Sequence, residues 1–99
     1  MKIKFVNNYQ HNPDVLMRKC GYGRIPTREI SYARRFGAGI YPRFHAYVDK
    51  LATGFVVNLH LDQKQASYSG HTAHSGEYSG ELVEREGERI RQAIESFGV

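Results

Sequence analysis

The chain has 99 residues, of which 40% are hydrophobic and 24% are charged, and its formal net charge is +4. This composition excludes a disordered or fibrous chain, and the length predicts a single domain over residues 1–99. No apolar run reaches the ~20 residues needed to cross a bilayer, and the lone Cys20 cannot form an internal disulfide, so we expect a cytoplasmic protein with no membrane partner.

The first third of the chain predicts a strand, a helix and a second strand. Ile3–Val6 has the pattern of a short edge strand. Asn12-Pro13 is a typical helix start and Gly21 a typical helix end, which predicts a helix over about 13–20. Residues 30–36 alternate as a strand does, and Ile30, Ala33 and Phe36 are also spaced as on one face of a helix; we favour the strand in this stretch, which is punctuated by glycine and proline.

A hairpin is the clearest element of the sequence. Arg43–Asp49 and Phe55–Asp62 both alternate between apolar and polar residues and are joined by a turn that contains Gly54. Because the apolar faces must match, the residue numbers of directly opposed partners sum to either 103 or 105. Both registers place Arg43, His45, Tyr47, His60 and Asp62 on one open polar face.

The remainder of the chain reads as a polar loop followed by a helix. Residues 63–80 are polar, rich in glycine and without periodicity, and loops of this size are often functional. Residues 81–97 have the apolar spacing of an amphipathic helix that packs on the sheet. The predicted fold is therefore a small α+β domain, with a mainly antiparallel sheet of three or four strands and helices on one face.

Charge and aromatic residues favour RNA as a partner. Residues 1–50 carry a balance of +7 and residues 51–99 a balance of −3, and rings lie among the basic residues of the first half. Cations bind phosphates and rings stack on bases, so we predict RNA contacts from Arg34, Arg35, Tyr47 and Tyr68.

The histidines allow three interpretations. His45 and His60, with Arg43 to neutralise a phosphorane, would suit a metal-independent ribonuclease. A zinc-like ion held by His60, Asp62, His71 and His74 would indicate a metal-binding protein or hydrolase. The histidines could instead hydrogen-bond the long loop onto the sheet. A further alternative is a non-catalytic protein-interaction module that binds a protein partner through the edge strand or the acidic helix.

Two resemblances accompany these patterns. The run Leu59–Lys64 followed by His71–Tyr78 resembles a family of small uncharacterised bacterial proteins over residues 17–95, and this likeness implies no activity. The segments Cys20–Tyr22, Phe44–Tyr47 and Val57–His60, followed by the closing helix, resemble HicA-like toxins. That likeness implies an α-β-β-β-α fold of the double-stranded-RNA-binding type, RNA binding or cleavage, and an antitoxin partner.

Overall fold

The computed structural model describes residues 1–63, 76–77 and 80–99 and confirms the α+β class. The elements in chain order are β1 (Lys2–Phe5), α1 (Pro13–Lys19), β2 (Gly23–Ile25), β3 (Ser31–Arg35), β4 (Arg43–Lys50), β5 (Phe55–Asp62), β6 (Gly76–Glu77) and α2 (Glu81–Glu95). Five strands form an antiparallel sheet in the order β1-β5-β4-β3-β2, and β6 also pairs with β5. Within the described residues, neither helix has the length and apolar character that a bilayer span requires.

The sheet has more strands than the three or four expected. β2 was not predicted, because it has three residues, begins at Gly23 and is followed by Pro26, which is too short a run to show alternation. β6 lies inside the segment read as an aperiodic loop and pairs its two residues with Leu61 and Asp62. Since β1 precedes α1 and four strands lie between α1 and β6, the element order is richer than the simple α-β-β-β-α series.

The signals at the ends of α1 act as the sequence predicts. The side chain of Asn12 accepts a hydrogen bond from the Val15 amide at 2.9 Å, and Pro13 occupies the first turn, where its missing N–H has no partner to lose. Gly21 has a φ of +93°, the left-handed conformation that ends a helix at low cost in glycine.

The hairpin of β4 and β5 adopts the register in which partner numbers sum to 105. His45 lies opposite His60, and Arg43 lies opposite Asp62. The turn closes with a hydrogen bond from the Leu51 amide to the Gly54 carbonyl, at 3.0 Å. Gly54 has a φ of +92° and lies so close to β1 that a Cβ would come within 1.8 Å of a carbonyl oxygen there, so only glycine fits.

One face of the sheet carries the core and both helices. Its buried strand residues are Ile3, Phe5, Tyr32, Phe44, Ala46, Val48, Phe55, Val57, Leu59 and Leu61. These pack with Leu16 and Met17 of α1 and with apolar residues of α2. The alternate positions form the other face, here called the polar face: Lys2, Lys4, Gly23, Ile25, Ser31, Ala33, Arg35, Arg43, His45, Tyr47, Asp49, Val56, Asn58, His60 and Asp62.

A buried carboxylate on α2 anchors this helix to the segment that follows α1. Glu86 is 5% exposed and accepts a hydrogen bond from the Tyr22 hydroxyl at 2.7 Å. The Arg89 guanidinium holds the same carboxylate through two contacts, at 2.7 and 2.8 Å, and also donates to the carbonyl of Cys20 after α1, at 2.7 Å. Burial beside Glu86 raises the pKa of the Tyr22 hydroxyl well above its ordinary value, so Tyr22 remains a donor.

Candidate functional site

The register of β4 and β5 brings the predicted catalytic side chains together. Arg43, His45 and His60 lie around Asp62, and all four are on the polar face. Successive side chains of a strand point to opposite faces, so one register places two residues from each strand side by side. The clustering expected from the odd and even positions is therefore present in the fold.

The Asp62 carboxylate is the centre of this cluster. One of its oxygens, Oδ1, lies 2.8 Å from His60 Nε2, and the other, Oδ2, lies 3.2 Å from His45 Nδ1. The Arg43 Nε donates to Oδ2 at 3.3 Å. The two imidazole ring centroids are 4.8 Å apart. A single carboxylate thus orients two imidazoles and one guanidinium, which we call the Asp62 cluster.

The centre of the polar face is closed, whereas the sequence predicted it to be open. His45 is 7% exposed and His60 is 5% exposed. The Tyr47 ring stacks on the His45 ring with centroids 4.4 Å apart, and Arg43 and Asp62 lie beside it and are themselves only partly exposed. The alternation of a strand assigns a side chain to a face, but it does not tell whether neighbouring rings cover that side chain.

Burial also sets the protonation of the imidazoles. Removal from water lowers the pKa of His45 and of His60, and the nearby Asp62 offsets only part of that effect. Both rings are therefore neutral at neutral pH. With Nδ1 of His45 donating to Asp62, its Nε2 carries a lone pair, and this buried atom has no hydrogen-bond partner in the part of the chain that the structure describes.

The same atoms have the composition of a metal site. One ligand atom each from His45, His60 and Asp62 lies within 4.8 Å of the others, and two imidazoles with a carboxylate are a common donor set for zinc. The predicted set contained His60 and Asp62 but also His71 and His74, which lie outside the described residues. His45 is the third donor that the described residues supply.

A groove beside the cluster carries positive charge. It has a volume of about 370 Å³ and is lined in part by Gly23, Ala33, Arg35, Ile40 and Arg43, a set we call the arginine groove. Gly23 pairs with Ala33, and these two smallest side chains leave the space open. Arg43 lines the groove and contacts Asp62, so the groove leads directly to the Asp62 cluster.

The structure separates the two arginines that were expected to act together. Arg35 is exposed on the polar face, opposite Arg43. Arg34 is on the helix face, where its Nη1 lies 3.5 Å from Glu86 Oε2. The alternation of residues 30–36 contained this information, because it groups Arg34 with Tyr32. Tyr47 lies on the polar face as expected, and Tyr68 lies outside the described residues.

Glu86 and Arg89 were not singled out from the sequence. Glu86 is three residues after Val83 and four before Ile90, both buried, which places its carboxylate on the apolar side of α2. That spacing predicts a buried carboxylate, and a buried carboxylate requires a hydrogen-bonding or charged partner.

We compared the chain with known protein families, curated proteins and solved structures. No protein-family model, no curated protein and no solved structure matches the chain. The likenesses to the small bacterial family and to HicA-like toxins therefore stay predictions.

Proposed function

We propose that the polar face binds single-stranded RNA, and that the Asp62 cluster acts on the bound strand as a metal-independent ribonuclease. The observation that carries this proposal is the continuity between the arginine groove and the cluster, through Arg43. Guanidinium groups bind phosphates, and a carboxylate-oriented imidazole is a typical general base.

The charges of the polar face support contact with phosphates. Lys2 and Lys4 of β1 are exposed on this face, and Arg35 and Arg43 line the groove on the other side of Tyr47. The acidic Asp49 of this face accepts a hydrogen bond from Asn58 at 2.9 Å, and Asp62 is engaged by the cluster. A strand that crosses the sheet would meet cations on both sides of a partly exposed tyrosine ring, which is a usual platform for a base.

The chemistry assigned to His45 is proton abstraction. Its Nε2 would take the proton of a ribose 2′-hydroxyl while the 2′-oxygen attacks the adjacent phosphorus, and Arg43 would neutralise the phosphorane. The bond from phosphorus to the 5′-oxygen then breaks on the opposite side, where water protonates that oxygen, and the imidazolium gives its proton to the hydroxide so formed. The products are a 2′,3′-cyclic phosphate and a 5′-hydroxyl. Because Nε2 is buried, cleavage requires the strand to displace side chains around it, whereas binding in the groove does not.

A substitution at His45 separates binding from cleavage. In His45→Asn the amide nitrogen takes the place of Nδ1 and can still donate to Asp62, but Nε2 is lost. We expect fluorescence anisotropy to give unchanged affinity for a labelled RNA, and gel assays to show no cleavage. His11→Asn, the same change at an exposed histidine beside Phe97, serves as the matched control, with cleavage retained. An RNA with a 2′-deoxy residue at the cleaved position should also remain intact.

Two outcomes would contradict the proposal. Cleavage that survives in His45→Asn would remove this residue from the chemistry. An absence of RNA binding by the wild-type protein at low salt would remove the function altogether.

The donor set of the cluster favours a second candidate, a zinc-like metal site. A bound ion would replace the protons between Asp62 and the two imidazoles, and it would compete with Arg43 for the carboxylate. Elemental analysis of untagged protein would then find about one equivalent of metal, lost in His45→Asn. Cleavage that continues in EDTA would support the metal-independent proposal, and cleavage that stops would support the metal.

A further inference from the structure

We infer that a pocket on the helix side of the sheet binds a small aromatic anion. The pocket has a volume of about 310 Å³ and is lined by Arg34, Phe36, Phe44, Leu82, Arg85 and Arg89, among others; we call it the helix-side pocket. It faces α2 and lies on the opposite side of the sheet from the Asp62 cluster, so this inference goes beyond the proposed function and does not rest on it.

The positive charge of this pocket exceeds its negative charge. Arg34, Arg85 and Arg89 line it from the helix side, Arg35 of the polar face also borders it, and Glu86 is the carboxylate among its lining residues. Glu86 is already held by Tyr22 and by two contacts from Arg89. Its remaining capacity to accept hydrogen bonds is therefore small, and Arg34 reaches it through a long contact of 3.5 Å.

Arg34 and Arg85 have donors available for a ligand. A guanidinium has five N–H groups, and in the described part of the chain Arg34 spends one of them on Glu86 at 3.5 Å, near the limit of a hydrogen bond. Arg85 contacts Glu81 at 2.6 Å, but both side chains are highly exposed, and such pairs contribute little and exchange readily. A carboxylate or phosphate group of a ligand would accept hydrogen bonds from these two guanidinium groups.

The apolar part of the pocket fits a ring. Phe36 and Leu82 are each 47% exposed, which is unusual for large apolar residues that face one cavity. Phe36 and Phe44 lie with their ring centroids 4.8 Å apart, so the wall is aromatic. The volume is at the lower end of the range for ligand sites, which suits one ring with one charged group better than a polymer.

Titration with phenyl phosphate, followed by amide resonances, tests the inference. Saturable shifts are expected at residues 34–36 and 82–89. Benzyl alcohol represents the ring of the probe and inorganic phosphate represents its charged group. Each should bind at least about tenfold more weakly than phenyl phosphate. Benzoate distinguishes a carboxylate site from a phosphate site, because it should match phenyl phosphate only in the former case.

Three variants assign the binding to this pocket. Arg34→Gln should weaken phenyl phosphate about tenfold, the effect of one charge-assisted hydrogen bond, and leave benzyl alcohol unchanged. Leu82→Gln should weaken phenyl phosphate but not inorganic phosphate. Arg91→Gln, on the same helix but away from the pocket, is the matched control and should have no effect.

Several results would overturn the inference. Inorganic phosphate that binds as tightly as phenyl phosphate would indicate a charged patch with no pocket for a ring. Equal losses in Arg34→Gln and Arg91→Gln, shifts centred on the polar face, or no saturable shifts at all would each exclude the helix-side pocket as the site.

Discussion

Substitution of two adjacent arginines tests the assignment of RNA to the polar face. Arg35→Gln removes a cation from the arginine groove, whereas Arg34→Gln removes one from the helix face. The two changes have the same chemistry at neighbouring positions. Any difference in RNA affinity therefore reports which face the strand contacts.

The expected magnitude follows from the number of cations on the polar face. Lys2, Lys4, Arg35 and Arg43 could neutralise up to four phosphates. At about −0.7 per phosphate for a single strand, the slope of log affinity against log salt would reach about −2.8, or an about 50-fold loss of affinity from 50 to 200 mM salt. Arg35→Gln should reduce the slope to about −2.1 and the loss to about 20-fold, and Arg34→Gln should leave both unchanged.

The assay is fluorescence anisotropy of a labelled RNA without terminal phosphates, at five or more salt concentrations. Arg91→Gln on α2 controls for the change in net charge. A slope that flattens equally in Arg34→Gln and Arg35→Gln would refute the assignment of the strand to one face. Wild-type affinity that does not depend on salt would refute phosphate contact itself.

Three further predictions concern stability and are measured by urea unfolding. Gly54→Ala should lower the free energy of unfolding by at least about 2 kcal/mol, because a Cβ there would meet backbone at 1.8 Å in a left-handed conformation. Glu86→Gln should lower it by about 2–3 kcal/mol, because a partly buried guanidinium loses its paired charge. Between about pH 7 and pH 5 the free energy of unfolding should decrease as the pH falls, by up to about 1.4 kcal/mol per pH unit for each imidazole. Burial lowers the pKa of His45 and His60 in the folded state, so the unfolded chain binds protons first.

Each of these has its own control. Gly23→Ala, where a Cβ meets nothing within 4 Å, should be neutral or stabilising, and a loss equal to that of Gly54→Ala would contradict the steric reason. If Glu86→Gln lowers the free energy of unfolding by less than about 1 kcal/mol, the partners of Glu86 form hydrogen bonds with water in the variant. The decrease in the free energy of unfolding between pH 7 and pH 5 should be smaller in His45→Asn. A wild-type free energy that does not change over this range would contradict the effect of burial on the two imidazoles.

Alternation along two strands was enough to predict the composition of the Asp62 cluster. A slip by one residue would bury charges and expose the core, so the pattern excluded it. Alternation could not choose between the two remaining registers, because both match the apolar faces. The turn decides between them: Gly54 in a left-handed conformation closes a turn of residues 51–54 and sets His45 opposite His60.

Other features depended on contacts distant in sequence. The burial of His45 comes from the rings and charged groups around it, which no local pattern reports. β2 is too short to show a period and is a strand only because β3 pairs with it. The separation of Arg34 from Arg35, in contrast, was readable once residues 30–36 were taken as a strand.

The buried carboxylate of Glu86 fixes the axial position of α2. A helix held by aliphatic contacts alone can slide along a sheet and exchange one set of methyl groups for another. A shift of α2 by one turn, about 5.4 Å, would carry Glu86 away from the Tyr22 hydroxyl and Arg89 away from the Cys20 carbonyl, which would leave the buried hydroxyl without its acceptor. The hydrogen bonds therefore act as a stop against sliding, and they hold Leu82 and Arg85 at a constant distance from β3.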